Sequence, residues 1–425
     1  MLSNEKIDDP NRATAVPPCR FCGLPLTRTF VDLGMSPLCE SFVPPERANA
    51  MEPFFPLHAR VCDGCRLVQL EAYVTPDEIF TEYAYFSSFS TSWVEHARAY
   101  VEMIVPRLFL DETSLVIELA SNDGYLLKHF IGTDVRILGI EPAKNVAEVA
   151  ELAGVPTLTE FFGTRLADEV VSAHGQADLV IGNNVLAQVP DLNDFVAGVA
   201  ALLAPTGTAT FEFPHLLRLM EGLQYDTIYH EHFSYFSLET TAGLMRGHGL
   251  DVYDVEELST HGGSLRVYVC HRGARAVVPT VGTLIDREHA AGLDDLRSYQ
   301  EFGERVDESK RQLLEVLIGL RRDGKRIAGY GAPGKGNTLL NYCGIRTDFI
   351  EYTVDRNPYK HGMFLPGTRI PIHSPERIAA TKPDVVVVLP WNLIDEISPQ
   401  LAYVAEWGGK LLVPIPYARM LEPGS

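Results

Sequence analysis

Short apolar runs of strand length recur in two series along this chain, with amphipathic stretches between them, and that rhythm restricts the fold more than any other feature. The first series, 115–120, 135–140, 177–182 and 208–213, follows a helix-like stretch at 92–110. Buried runs separated by amphipathic segments are the pattern of a parallel sheet with helices on both faces. Runs at 249–256 and 264–270 read as further strands of it. The rhythm restarts after a helical, charge-rich bridge at 281–322, with runs at 326–331, 349–355, 384–390 and 410–414. Two such units joined by a bridge imply a cleft between them, and open parallel sheets bind ligands beyond the carboxyl ends of their strands.

A chain of 425 residues exceeds one ordinary core and predicts about two to three domains. The expected fold class is α/β: two Rossmann-like doubly wound lobes joined by a helical bridge, plus a small N-terminal zinc-binding lobe. The boundaries read as 1–75 for the zinc lobe and 76–275 for a cofactor-binding domain with a lid. The bridge then occupies 276–325 and a nucleotide-binding domain 326–425. A net charge of −20 argues against nucleic-acid binding, which needs a basic field. With no apolar run of membrane-span length and a polar first stretch, the expectation is a cytoplasmic chain without a membrane partner. A monomer or small homo-oligomer is expected.

Four of the seven cysteines form two pairs, Cys19-x-x-Cys22 and Cys62-x-x-Cys65. Each pair lets two thiolates reach one ion from a tight turn, and two pairs complete a tetrahedral zinc site. A closed four-sulfur site leaves no position for substrate, so the zinc is expected to be structural.

In the first α/β unit, Glu118 ends a strand that runs into Ala120, Ser121, Asn122 and Gly124, with helix-forming residues at 125–130. The next strand ends in Glu141-Pro142. Small residues let the backbone approach a ligand, and an acid after the second strand suits ribose hydroxyls. Ala120 and Asn122 stand where a strict dinucleotide fingerprint has glycine. That departure disfavours pyrophosphate and makes room for a sulfonium with an amino-acid tail. Asn183 and Asn184 follow the fourth strand on the same ligand side.

Tyr229-His230-Glu231-His232 is the densest titratable cluster. Deprotonating carbon beside a carbonyl needs a base matched to working pH and donors for the developing enolate, and these residue types supply both. A second aromatic patch at 83–88, including Tyr83, Tyr85, Ser87 and Ser88, is suited to a lid. In the second unit Gly329-x-Gly331-x-x-Gly334 follows a strand, and Asp355 ends the next one where a ribose-binding acid belongs. Lys335 makes the loop resemble a P-loop, but Gly336 replaces the hydroxyl that would hold magnesium. This unit therefore predicts a nucleotide or diphosphate ligand, with NAD among the candidates.

Taken together, these blocks resemble the sugar C-methyltransferases of deoxysugar and antibiotic biosynthesis, which act at C3 of thymidine-diphosphate 4-keto sugars. The paired cysteines, the 83–88 and 118–124 blocks, Tyr229 to His232, His261-Gly262-Gly263-Ser264-Leu265-Arg266 and Gly329 to Pro333 all occur in order. The resemblance implies structural zinc, S-adenosylmethionine in the middle lobe, and a nucleotide-linked keto sugar on the C-terminal lobe. It implies a substrate side made by Tyr85, Ser87, Ser88, Gly331, Pro333, Lys335, Asn337, Asp355 and Lys360. His232 becomes the expected base, with Glu231, Tyr229, Tyr83 and Gln188 around the reacting sugar. Relatives often carry histidine where this chain has Gln188, which donates a hydrogen bond but moves no proton. Three other readings are open: a nucleotide-sugar oxidoreductase using NAD, an O- or N-methyltransferase, and a zinc adaptor.

Overall fold

The protein is described by a computed structural model over residues 16–75 and 86–424. The middle of the chain forms a seven-stranded sheet. Its strands are β4 (Leu115–Leu119), β5 (Arg136–Ile140), β6 (Thr157–Leu158), β7 (Ala177–Asn183), β8 (Leu203–Pro214), β10 (Leu250–Leu258) and β11 (Ser264–His271). They run in the order β10-β11-β8-β7-β4-β5-β6. The five strands from β8 to β6 are parallel, while β11 pairs antiparallel with both β8 and β10. Every residue of β4 is buried, as expected for a strand covered on both faces. A doubly wound sheet of the dinucleotide type continues parallel at this edge. Here the last hairpin inserts a reversed strand instead.

The C-terminal sheet has six strands: β12 (Ile327–Tyr330), β13 (Thr353–Val354), β14 (Ile372–His373), β15 (Val385–Val388), β16 (Lys410–Val413) and β17 (Arg419–Leu421). Its order is β14-β13-β12-β15-β16-β17, parallel except for the antiparallel edge strand β17. The bridge resolves into two helices, Pro279–Ala290 and Leu296–Arg322. The longer one buries Tyr299, Phe302, Val306, Ser309, Leu313 and Leu317, a spacing of three and four that gives one buried stripe, apolar but for Ser309.

The N-terminal region is itself a sheet, unseen in the sequence pattern. Strands β1 (Arg28–Ser36), β2 (Phe55–Val61) and β3 (Val68–Leu70) are joined by β9 (Ser234–Tyr235), which comes from far along the chain. Phe30 of β1 stacks on Phe302 of the long helix with ring centroids 4.4 Å apart. A single apolar core runs from β1 and β2 through that helix to β12 and β15.

One expectation needs correction. Residues 125–130 form no α-helix; only a 3-10 turn, Leu127–Phe130, follows the first strand of the central sheet. The reason lies in the preceding turn, where Ala120, Asn122 and Gly124 all take left-handed φ values of 55°, 50° and 73°. A chain turning repeatedly through that region does not enter a right-handed helix.

The bridge is locked to the central sheet by Glu288. Its carboxylate accepts from His215 Nε2 at 2.7 Å and from the amides of Leu238 and Glu239 at 2.6 and 3.1 Å. Both side chains of the His215–Glu288 pair are fully buried. Glu288→Ala strands three buried donors and is expected to cost about 3 kcal/mol or more. Urea unfolding monitored by circular dichroism would read that loss as a lower midpoint.

Candidate active site

The carboxyl ends of β4, β5, β7 and β12 face one cavity of about 660 Å³. On the central-sheet side it is lined by Ala120, Asn122, Glu141, Pro142, Asn183, Asn184 and Gln188. The turn after β4 is fastened to β5 by Glu141, whose oxygens accept the amides of Asn122 at 2.9 Å and Ala143 at 2.8 Å. Ser87 and Ser88 close over the same turn, donating backbone N–H to Asn122 Oδ1 and Asp123 Oδ2 at 2.9 and 3.0 Å. Of these two serines only Ser87 reaches the cavity wall. Tyr83 and Tyr85 lie outside the described residues.

Acceptors on and behind this wall are left unmatched. Among the described residues, Asn183 Oδ1 and Asn184 Oδ1 on the wall and Asp123 Oδ1 and both Glu118 oxygens behind it are buried without a hydrogen-bond partner. Glu118 lies behind the wall, its carboxyl pushed well above the usual range by burial and by neighbouring Glu141 and Asp123. Unmatched buried acceptors carry a cost that a ligand rich in donors and positive charge removes. S-adenosylmethionine, with its ribose hydroxyls, ammonium and sulfonium, is such a ligand. Ser121 and Gly124 shape the turn from outside the cavity lining.

The opposite wall carries two lysines with carboxylates beside them, Lys360 Nζ lying 3.7 Å from Glu40. Gly331, Pro333, Lys335, Asp355 and Lys360 line it, with Cys39 and Glu40 arriving from the zinc lobe. Asp355 repeats the device of Glu141: its oxygens accept the amides of Ala332 at 2.7 Å and Asn357 at 2.8 Å. Gly331 has φ 87°, and a side chain there would meet Pro390 at 2.5 Å, so the turn requires glycine. Lys335 donates to Asn392 Oδ1 at 2.8 Å and lies over the Trp391 ring. Burial pulls its pKa down, offset in part by Asp226. Lys360 donates to the Ala332 carbonyl at 2.8 Å. Asn337 does not reach the cavity; its amide donates to the Cys39 carbonyl and holds the zinc lobe against this wall.

Between the walls stand Tyr229, Glu231 and His232. His232 Nδ1 lies 3.3 Å from the Thr227 carbonyl. A carbonyl only accepts, so Nδ1 carries the proton and Nε2 keeps its lone pair. Burial, reinforced by His261 and Lys335, pulls the imidazole down to about 3, so it is neutral at working pH. Tyr229 packs on it with ring centroids 4.2 Å apart. Glu231 moves the other way. Burial and the nearby Glu40 push its carboxyl up to about 8, and Cys39 Sγ donates to it at 3.5 Å. His230 turns aside to the Pro56 carbonyl.

Several lining residues carry no role in the sequence pattern: Cys39, Glu40, Trp93, Tyr125 and His261. His261 was visible only as part of a Gly-Gly block. It opens on the cavity from a left-handed turn with φ 57° and packs edge-on against Trp93 at 5.2 Å. Nothing in the local pattern marks Trp93, which stands among polar residues at a helix start, or Tyr125, which follows the 118–124 block.

In the zinc lobe the four sulfurs of Cys19, Cys22, Cys62 and Cys65 lie within 4.8 Å of one another. The Cys19–Cys65 and Cys22–Cys62 separations are 3.6 and 3.4 Å. Tetrahedral zinc with bonds of about 2.3 Å sets sulfurs roughly 3.8 Å apart, so the four fit one ion.

A doubly wound sheet with an acceptor-rich pocket at the ends of its first strands, beside a neutral imidazole, is the site of an S-adenosylmethionine-dependent methyltransferase. Three family profiles match in order: zinc binding domain at 19–80, methyltransferase domain at 93–255, and C-methyltransferase C-terminal domain at 259–416. The chain is 38% identical over 408 residues to the C-methyltransferase NovU of Streptomyces niveus, covering 96% of this chain and 97% of that one. It belongs to this family of zinc-containing, S-adenosylmethionine-dependent C-methyltransferases. Solved structures give weaker likenesses. An S-adenosylmethionine-dependent methyltransferase from Clostridium acetobutylicum is 10% identical, covering 42% of this chain and 92% of that one, with a TM-score of 0.34. Magnesium protoporphyrin IX methyltransferase from Synechocystis is 14% identical, covering 42% and 81%, with a TM-score of 0.32. Likenesses at this level carry no argument. No helix among the described residues is long and apolar enough to cross a membrane.

The raised Glu231 carboxyl has a consequence for stability. Below pH 4.5 both folded and unfolded chains hold the proton. Between 4.5 and about 8 the unfolded chain releases it while the folded one retains it, so stability falls as pH rises through that window. Glu231→Gln removes the penalty. The variant is expected to match the parent at pH 4 and to exceed it by roughly 3 kcal/mol at pH 7, read by denaturant unfolding at the two pH values.

Proposed function

We propose that the chain methylates C3 of a thymidine-diphosphate 4-keto deoxysugar through a C3 enolate. The observation that carries this reading is the polarity of the cavity. Acceptors suited to a cationic donor line one side, Lys335 and Lys360 line the other, and His232 stands between them. Two lysines opposite a sulfonium pocket suit a diphosphate, and the sugar between the two sites meets the imidazole.

Bound S-adenosylmethionine supplies an electrophilic methyl carbon. The chain's own residues prepare the acceptor. His232 Nε2, unprotonated because Nδ1–H is held by Thr227, takes the C3 proton. Charge then passes to the C4 oxygen, where a neutral Glu231 carboxyl or the Gln188 amide donates a hydrogen bond. Both line the cavity. Part of what depresses His232 is the Lys335 charge. A diphosphate on Lys335 cancels that part, so substrate binding itself makes the imidazole more basic. Carbon chemistry is favoured over methylation of oxygen or nitrogen by the 38% identity to a C-methyltransferase over 96% of the chain.

Candidate thymidine-diphosphate 4-keto sugars offered with labelled S-adenosylmethionine are expected to yield a product labelled on C3. His232→Ala is expected to lower kcat by about 10²- to 10⁴-fold and to abolish deuterium exchange at C3, while the affinity for S-adenosylmethionine stays unchanged by calorimetry. Undiminished exchange in that variant removes His232 from the role of base.

A further inference from the structure

The zinc knuckles and the base-bearing loop are far apart in the chain and directly bonded in space. Cys19 Sγ accepts from Gln69 Nε2 at 3.2 Å, and Gln69 Oε1 accepts the Arg20 amide at 3.0 Å. The Arg20 guanidinium then reaches across to the segment that follows His232. Its Nη1 donates to the Phe233 carbonyl at 2.5 Å and its Nη2 to the Leu70 carbonyl at 2.7 Å. The Phe233 carbonyl also accepts the Leu70 amide at 3.0 Å, and the guanidinium lies 5.4 Å from the centre of the Phe233 ring. Beyond Phe233, Ser234 and Tyr235 pair with β3 in the zinc-lobe sheet. The second knuckle is tied just downstream, where Thr240 Oγ1 donates to the Cys65 carbonyl at 3.1 Å.

We infer that Arg20 is a positioning residue that transmits the geometry of the four-cysteine site to His232. The physical reason is the fork of the guanidinium. It holds two carbonyls, one on each of two paired strands, in a fixed relation that a single-point donor cannot reproduce. With the knuckle shaped by its ion, the backbone immediately after His232 is fixed, and the imidazole keeps its place over the sugar site. Zinc then serves the reaction without touching it. The inference rests on the acid–base reading of His232 for its effect on rate, but the mechanical link stands on the hydrogen bonds alone.

The test uses the zinc-loaded full chain and its Arg20→Gln and Arg20→Lys variants. In Arg20→Gln, zinc content and S-adenosylmethionine affinity are expected to match the parent. Amide hydrogen exchange at 229–236 is expected to rise about 10-fold and kcat to fall about 10- to 100-fold, as for a misplacement near 1 Å. Arg20→Lys, which reaches one carbonyl but not two, is expected to recover part of both. Chelating the metal in the parent should raise exchange over the same residues, and in Arg20→Gln it should add less, because only the Gln69 and Thr240 contacts then carry the link. Unchanged exchange at 229–236 in zinc-loaded Arg20→Gln overturns the inference. So does a chelator effect on 229–236 as large in Arg20→Gln as in the parent. A variant that loses protection there while kcat holds overturns the positioning role of Arg20, whereas the role of His232 as base stands or falls with the His232→Ala exchange experiment.

Discussion

The parallel strands of two sheets face one cavity with their carboxyl ends, and the segment from Asp226 to Phe236 keeps them there. It is held from three sides at once. Trp391 Nε1 donates to Asp226 at 2.6 Å and Thr338 Oγ1 to the Ile228 carbonyl at 3.1 Å, which ties it to the C-terminal lobe. Ser234 and Tyr235 belong to the zinc-lobe sheet, and the Leu216 amide donates to the Phe236 carbonyl at 2.9 Å on the central side. His232 therefore belongs to no single lobe. Its position is the sum of contacts that all three make, so a reaction needing both substrates and one base depends on how the lobes are assembled.

The two α/β units solve the same local problem with the same device and then diverge in charge. In each, an acid after the second strand accepts the amide of the turn after the first strand and an amide two residues beyond itself: Glu141 with Asn122 and Ala143, Asp355 with Ala332 and Asn357. Neither acid waits idle for a ribose, since both already shape their turns. What differs is the company. The central turn is surrounded by unmatched acceptors, the C-terminal one by Lys335 and Lys360. An overall charge of −20 gives no hint of this division, because binding depends on local fields within a low-dielectric cleft rather than on the sum.

The site is maintained against its own cost. Glu118 and Glu231 are carboxyls held where ionisation is disfavoured, Lys335 is an ammonium pulled down by burial, and His232 is an imidazole kept neutral. His261 adds a backbone conformation that side chains other than glycine rarely adopt. Such strain persists only where the surrounding structure over-determines it. Here the surroundings are the continuous core from β1 to β15 and the Glu288 lock on the bridge.

Periodicity alone located β4, β5, β7 and β8 of the central sheet, β12, β13, β15 and β16 of the C-terminal one, and the bridge, because buried strands carry apolar runs; it missed β6 and β14, whose two residues each are too few to show a period. Spacing alone paired Cys19-Cys22 with Cys62-Cys65, because a tetrahedral ion needs two tight turns. Glu141, Asn183, Asn184, Lys335 and Asp355 were legible for a topological reason: residues just past a parallel strand lie on the ligand side. The helix expected at 125–130 failed because left-handed turns at Ala120 and Asn122 are not written in propensity. Tertiary structure decided what no window along the chain contains. It drew Ser234 and Tyr235 into a sheet whose other strands lie before residue 71, brought Cys39 and Glu40 beside Lys335 and Lys360, and opened His261 on the cavity. It also separated Glu231 from His232 in proton affinity, although they are adjacent in sequence. Burial and neighbouring charge set those affinities, and both are properties of packing rather than of residue type.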